Sequence, residues 1–364
     1  MIRRLIFTPL FLTLAVFCAF ALSALAQSPA PNSTWSFAVS GDSRNCGDVV
    51  MPGIAAGVKQ SGAAFYWHLG DFRAIYNFDE DMQHQPQYLA KPLSISQYLF
   101  VAWDDFIENQ IVPFGTTPVF LGIGNHDTTP PKTREQFLIQ FADWLDQPVL
   151  QKQRLSDDPS ARKITAYFHW IRSGVDFINL DNATTDQFDP QQITWFEKTL
   201  QLDLTNPQIS TIVVAMHEAL PDSISENHAM DQFSAGIDSG RRVYADLLKA
   251  QNDAHKRVYV LASHSHYFMD GIFNTRYWRE HGGVLPGWII GTAGAVRYAL
   301  PREKVEAKAA ATNVYGFLLG TVQPTGEITF AFHQLNESDV PPAVVETYKP
   351  EFVHWCFAEN SASH

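Results

Sequence analysis

Two aspartates, one asparagine and three histidines share one context in this chain. Asp42, Asp71, Asn125, His217, His264 and His266 all stand just after short apolar runs. Carboxylate and amide oxygens together with neutral imidazole nitrogens are a donor set for Zn, Mn or Fe rather than Ca. The same segments hold a histidine beside a carboxylate, His126-Asp127, and an arginine, Arg44. A histidine so placed is poised to move a proton, and a planar guanidinium is shaped to grip a phosphate.

Stepping along the chain, the segments are Gly41-Asp42-Ser43-Arg44, Gly70-Asp71, Gly124-Asn125-His126-Asp127, Met216-His217 and His264-Ser265-His266. The runs before them, 35–39, 64–69, 119–123, 211–215 and 258–262, are short, bounded and β-prone. They read as buried strands. In sheets of the α/β kind, ligands gather beyond the carboxyl ends of the strands. One Asp after one strand is usually a turn or cap residue. Five such segments delivered to one rim would build a metal site.

The order of the segments resembles that of the calcineurin-like metallophosphoesterases, and distantly that of the purple acid phosphatases. The resemblance runs from about 35 to 295, with Gly124-Asn125-His126-Asp127 its most specific piece and His264-Ser265-His266 the next, Ser263 replacing the usual Gly. It also covers Asp181-Asn182 after the apolar run 175–180. There Gln191, Gln192 and Trp195-Phe196-Glu197 follow on a helical pattern, with Trp195, Phe196 and Leu200 expected to cover a sheet. The resemblance implies an α+β fold of the α/β type, a four-layer αββα sandwich of two mixed β-sheets flanked by helices. It implies one or two divalent metal ions per chain (Mn, Zn or Fe), two such ions lying ~3.5–4 Å apart in enzymes that clamp a phosphoryl group. Asp71 would bridge them. Asp71, Asn125, His217 and His264 would hold the second metal; Asp42, Asp71 and His266 would hold the first.

At the first metal this chain departs from the family. The usual ligand two residues after Asp42 is a His, and here it is Arg44, which cannot ligate. Purple acid phosphatases offset that loss with a Tyr three residues after the second Asp. Here that position is Ala74, and Tyr76 is out of register. Arg44 therefore has two readings: a structural pair with Asp48 or Asp71, or a grip on a substrate phosphate. By resemblance His126 is a general acid oriented by Asp127, and a metal-activated hydroxide attacks phosphorus. Of the remaining histidines, His68 reads as buried and hydrogen-bonded, while His228 and His281 fall in ligand-side loops. Gly291-Thr292-Ala293-Gly294-Ala295 lacks the Lys-Ser/Thr ending of a phosphate loop and reads as a tight turn after a strand.

Residues 1–26 read as a signal peptide, with Arg3 and Arg4, an apolar stretch and Ala24-Leu25-Ala26 as cleavage site. Residues 27–364 then form a single domain, with insertions near 77–110 and 222–242, a charged loop at 151–163 and a β-hairpin at 315–335. The product is expected to be secreted or periplasmic, with no stable membrane anchor. A formal charge of −12 argues against nucleic acid as a partner. Cys46 and Cys356 would form a disulfide or remain buried thiols. The expected partner is a small phosphate-ester substrate. The alternatives are a metal-binding protein whose catalysis is degraded by Arg44, and a metal hydrolase of another ester.

Overall fold

The structure is a computed structural model and describes residues 33–184, 186–225 and 228–362. The leader at 1–26 lies outside the described residues. The apolar runs become strands. β1 (Trp35–Ser40), β2 (Tyr66–His68) and β3 (Val119–Leu121) are followed by β4 (Phe168–Arg172), β5 (Val175–Asn179), β6 (Thr211–Ala215) and β7 (Arg257–Ala262). Then come β8 (Phe268–Asp270), β9 (Gly287–Ile290), β10 (Ala309–Ala311), β11 (Tyr315–Val322) and β12 (Ile328–Leu335).

They form two sheets, β12-β11-β1-β2-β3 and β10-β8-β9-β7-β6-β5-β4. In the first, β1, β2 and β3 are parallel and β11 and β12 antiparallel. In the second, β5, β6, β7 and β9 are parallel while β4, β8 and β10 run against their neighbours. Both sheets are mixed, as expected.

Period-two alternation splits the core into three layers. Phe37 and Val39 of β1, Val213 and Ala215 of β6 and Leu261 of β7 meet between the sheets. Aromatic rings fill this space: Phe120 stacks on Trp170 at 3.9 Å, and Phe37 meets Phe177 edge-on at 5.0 Å. Such pairs add about 0.5–1.5 kcal/mol each beyond their burial. Ala38 of the same β1 faces outward, to a cluster shared with Val49, Val50 and Ile54 of the helix Gly47–Ser61. Ile212 and Val214 face outward on the other side. They meet Phe196 and Leu200 of the helix Pro190–Thr205 and Leu247 of the helix Ser234–Asn252. Helix, sheet, sheet and helix make the four-layer sandwich.

The polar stretches are more helical than expected. The segment 77–110 contains the helices Glu80–His84, Pro86–Ala90 and Ile95–Phe106. Its anchor is polar: buried Arg73 bonds Asp81 at 2.9 Å and also Asp48 and Asp105. The stretch 151–163, read as a loop, is helical up to its middle, in the helix Pro148–Asp157. Leu150 is its only buried residue, so no apolar period marked it. The stretch 222–242 enters a helix at Ser234. Cys46 and Cys356 are joined by a disulfide, which ties the helix Pro350–Ala358 to the start of the helix Gly47–Ser61. No helix among the described residues is long and apolar enough to cross a membrane.

Candidate metal centre

Backbone contacts lace the strand-end loops together. Asp42 N–H donates to the Gly70 carbonyl and Ser43 N–H to the Asp71 carbonyl, each at 3.0 Å. Gly41 N–H donates to Ile290 and Ala293 N–H to Gly41, so the turn after β9 joins the same rim. Two glycines are required here. A Cβ at Gly70, whose φ is 98°, would lie 2.3 Å from the Gly124 nitrogen, and one at Gly124 would lie 2.2 Å from Asp71 Oδ1. Asp42, Asp71 and His264 adopt φ of 61°, 60° and 63°. That left-handed region is uncommon for residues other than Gly, though Asp and His enter it more readily than most, and such backbone clusters at functional sites.

Asp71, Asn125, His217 and His264 converge, with His217 Nε2 central. It lies 3.4 Å from Asp71 Oδ1, 2.9 Å from Asn125 Oδ1 and 3.0 Å from His264 Nδ1. His217 Nδ1–H donates to the Leu69 carbonyl at 3.0 Å, which leaves Nε2 to face the rim. Burial, with His217 beside it, pushes His264 well below the ordinary histidine range, so it is neutral. The Asn125 oxygen, the Asp71 carboxylate and two imidazole nitrogens thus crowd one small space, an arrangement that a cation among them would stabilise. Asp71, His217 and His264 also place one ligand atom each within 4.8 Å of the others. This donor set fits a divalent metal.

The other side of Asp71 is built differently. Asp42 Oδ2 accepts from Ser263 Oγ and from His264 N–H at 2.7 Å, while Oδ1 lies 3.2 Å from His266 Nε2 and has no hydrogen-bond donor. Burial works to raise the Asp42 carboxyl, but His266, His217 and His264 outweigh it and hold it well below its usual value. Arg44 reaches in among these residues. Its Nη2 is 3.1 Å from His266 Nε2, its Nη1 2.5 Å from His126 Nε2, and its Nε 3.9 Å from Asp71 Oδ2. Arg44 is only 6% exposed. The structural pairing with Asp48 is not made; Asp48 bonds Arg73 instead. The expected first metal does not fit as the chain stands. A metal ~2.1 Å from an imidazole nitrogen would have to share the His266 lone pair that Arg44 already uses.

His126 stands where the two sides meet. Its backbone N–H donates to Asp71 Oδ1 at 2.9 Å, and its Nδ1–H donates to the Ala74 carbonyl at 2.8 Å. The expectation that Asp127 orients this ring is corrected. Asp127 Oδ2 accepts from the Asp71 and Gly124 N–H groups, and Oδ1 from Phe72 N–H, at 2.8, 2.9 and 3.2 Å. Asp127 therefore clamps the backbone of two loops, and the Ala74 carbonyl holds the ring. Burial, helped by Arg44 and opposed by Asp71, pushes His126 below its ordinary value. In this state it is neutral, with Nε2 as acceptor.

Some contributors escaped the sequence reading. Tyr298 stacks on His266 at 4.0 Å, with its hydroxyl 3.4 Å from Arg44. It follows the post-β9 turn and carries no pattern. Tyr76, out of register as a ligand, still brings its hydroxyl within 3.4 Å of Arg44 and its ring over His126, while staying 64% exposed. Ser263, a departure from the family's Gly, fixes Asp42. His228 lies against the rings of His264 and Tyr298, whereas exposed His281 stacks on Tyr277. His68 is buried, contacting Ser43 Oγ at 3.0 Å, and burial drives it down to about 3. A separate cleft lined by Leu150, Arg154, His169 and Trp195 contains none of the candidate ligands.

The sequence matches no family model, and no curated protein matches it. Solved structures of similar fold include the following two. One is a purple acid phosphatase, PPD1, from yellow lupin (Lupinus luteus) seeds, at a TM-score of 0.55 and 13% identity over 84% of this chain and 52% of that one. The other is PhoD, at 0.52 and 13% identity over 84% of this chain and 70% of that one. The chain thus spans about half the length of the lupin protein. At such identities the likeness is one of fold alone: the two-sheet sandwich is shared with both.

Proposed function

We propose that this chain is an exported, metal-dependent hydrolase of phosphate mono- or diesters. The observation that carries the reading is the convergence of Asp71, Asn125, His217 and His264, whose ligand-type atoms lie 2.9–3.4 Å from His217 Nε2. A divalent cation bound there supplies Lewis-acid polarisation of a phosphoryl oxygen and activation of water. Asp71 orients the rim by accepting the His126 N–H. Arg44 offers guanidinium N–H groups to a phosphate oxygen arriving at the Tyr76 side. Hydrolysis forms one P–O bond from water, breaks the P–O bond to the leaving alcohol and needs a proton on the leaving oxygen. With phosphate on Arg44, His126 Nε2 is released from its contact with that guanidinium and can take up the proton that the water gives up and pass it to the leaving oxygen. Export is supported by the Cys46–Cys356 disulfide, since such bonds persist in oxidising compartments.

A second reading, metal binding with degraded catalysis, draws on Arg44 standing among the first-site residues. One panel separates the two: aryl phosphate mono- and diesters with Mn, Zn, Fe or Co, before and after chelation. The proposal expects turnover that chelation abolishes and metal restores. Metal binding without turnover on any ester would leave the second reading.

A further inference from the structure

We infer that the Arg44 guanidinium is itself the second cation of this centre, so that the protein works with one divalent metal and favours phosphate diesters. This rests on the metal-hydrolase reading above.

The closest contacts of Arg44 are imidazoles, and its ion pair with Asp71 is the longer one. A structural pair would set carboxylate oxygens against the N–H groups. Here the nearest carboxylate oxygen, Asp71 Oδ2, is 3.9 Å away. The close partners are two imidazole rings: Nη2 lies 3.1 Å from His266 Nε2, and Nη1 lies 2.5 Å from Nε2 and 3.3 Å from Nδ1 of His126, against that ring rather than along its Nε2 lone pair. Both rings have their Nδ1 on backbone carbonyls, His266 on Val296 at 2.6 Å and His126 on Ala74 at 2.8 Å. Each must therefore present a lone pair at Nε2. His266 thus turns toward Nη2 the nitrogen that a metal would receive, and the His126 ring lies against Nη1. A cation ~2.1 Å from His266 Nε2 would fall roughly 1 Å from Nη2, so guanidinium and first metal exclude each other.

The backbone holds Arg44 in place. Asn45 N–H donates to Asp79 Oδ1 at 2.7 Å, Asn45 Oδ1 accepts from Val296 N–H, and Cys46 is fixed by its disulfide. Asp71 sends one oxygen toward His217 and the other toward Arg44. It bridges, but it bridges a metal position and a guanidinium.

The charge count gives the substrate class. Asp42 and Asp71 bring two negative charges. One divalent metal and Arg44 bring three positive, leaving one in excess. Two divalent metals with a neutral residue at 44 would leave two in excess. A phosphate diester carries a single negative charge and a monoester up to two, so complementarity favours the diester here.

Metal counting tests this without reference to turnover. The purified protein is chelated, reloaded with Mn²⁺ and measured by elemental analysis and calorimetric titration. Wild type and Arg44→Lys should take one equivalent, and Arg44→His should take two, with circular dichroism confirming that each is folded. Two tight equivalents in wild type, or one in folded Arg44→His, would overturn the inference. Should Arg44→His fail to fold, the wild-type count decides. A second arm compares kcat/KM on bis(4-nitrophenyl) phosphate and 4-nitrophenyl phosphate. Wild type should favour the diester about tenfold, the scale of one ~1.4 kcal/mol interaction, and Arg44→His should reverse that preference. A wild-type preference for the monoester would overturn the inference. A protein that binds no Mn²⁺ and cleaves neither ester would instead sink the hydrolase reading itself.

Discussion

Asp71 divides the rim into two halves made from the same kinds of residue. On one side Asn125, His217 and His264 converge with Asp71, with His217 Nε2 central and no positive group of the chain among them. On the other, Asp42 and His266 bring an equivalent oxygen and nitrogen, and Arg44 stands between His266 and His126. The first half is incomplete without an external cation. The second already holds a cation of its own, although Asp42 Oδ1, Asp71 Oδ2 and Arg44 Nε keep no hydrogen-bond partner. A ligand set is therefore not read from ligand types alone, because one neighbouring side chain decides whether the lone pairs are already satisfied.

The comparison breaks most visibly at the first half. His217→Ala or His264→Ala should remove bound metal and turnover together, by well more than the ~10–100-fold that loss of an outer-sphere partner costs. Elemental analysis and steady-state kinetics check this. Full metal content and rate in either variant would make the two halves equivalent after all.

His126 belongs to neither half and should separate them. His126→Asn should keep the metal and lower the rate by about 10²–10⁴ on esters with poor leaving groups, the range of general acid catalysis. Esters with good leaving groups should lose much less. Equal losses on both would assign His126 to binding Arg44 rather than to the proton.

The smallest effect serves as a control remote from both halves. His169 lies between Asp176 and Asp157, with Nδ1 2.8 Å from one carboxylate and Nε2 2.7 Å from the other. Burial works to lower it, but these carboxylates win and push it up to about 10. Its folded value is raised, so its stabilisation is full below about 6.5, the ordinary histidine value, and is lost as pH rises through about 10. Denaturant unfolding should therefore show falling stability over that window, flattened in His169→Gln, with metal content unchanged. A variant as pH-dependent as wild type would refute the assignment.

Much of the first half was legible in the sequence because it is local. Each ligand follows the strand that delivers it, so a β-prone run and the next residue or two suffice. Two glycines, Gly70 and Gly124, also mark where loops touch. What stayed hidden depends on long-range contact. Tyr298 reaches His266 from a patternless turn, Ser263 reaches Asp42 across the two sheets, and Asp127 spends its carboxylate on backbone N–H groups rather than on its neighbour's ring. The helices Glu80–His84 and Pro148–Asp157 read as loops because they bury almost no apolar side chains. The disulfide joins residues 310 apart, a separation at which sequence leaves thiol and disulfide equally open.

The central claim is that one half of the rim takes a metal and the other is filled by Arg44. Anomalous scattering from crystals of the wild-type protein grown with Mn²⁺ tests it most directly. The account predicts a single peak, within about 2.3 Å of ligand atoms of Asp71, Asn125, His217 and His264, with the Arg44 guanidinium still beside His266. A second peak between Asp42 and His266, with Arg44 displaced toward solvent, would contradict it.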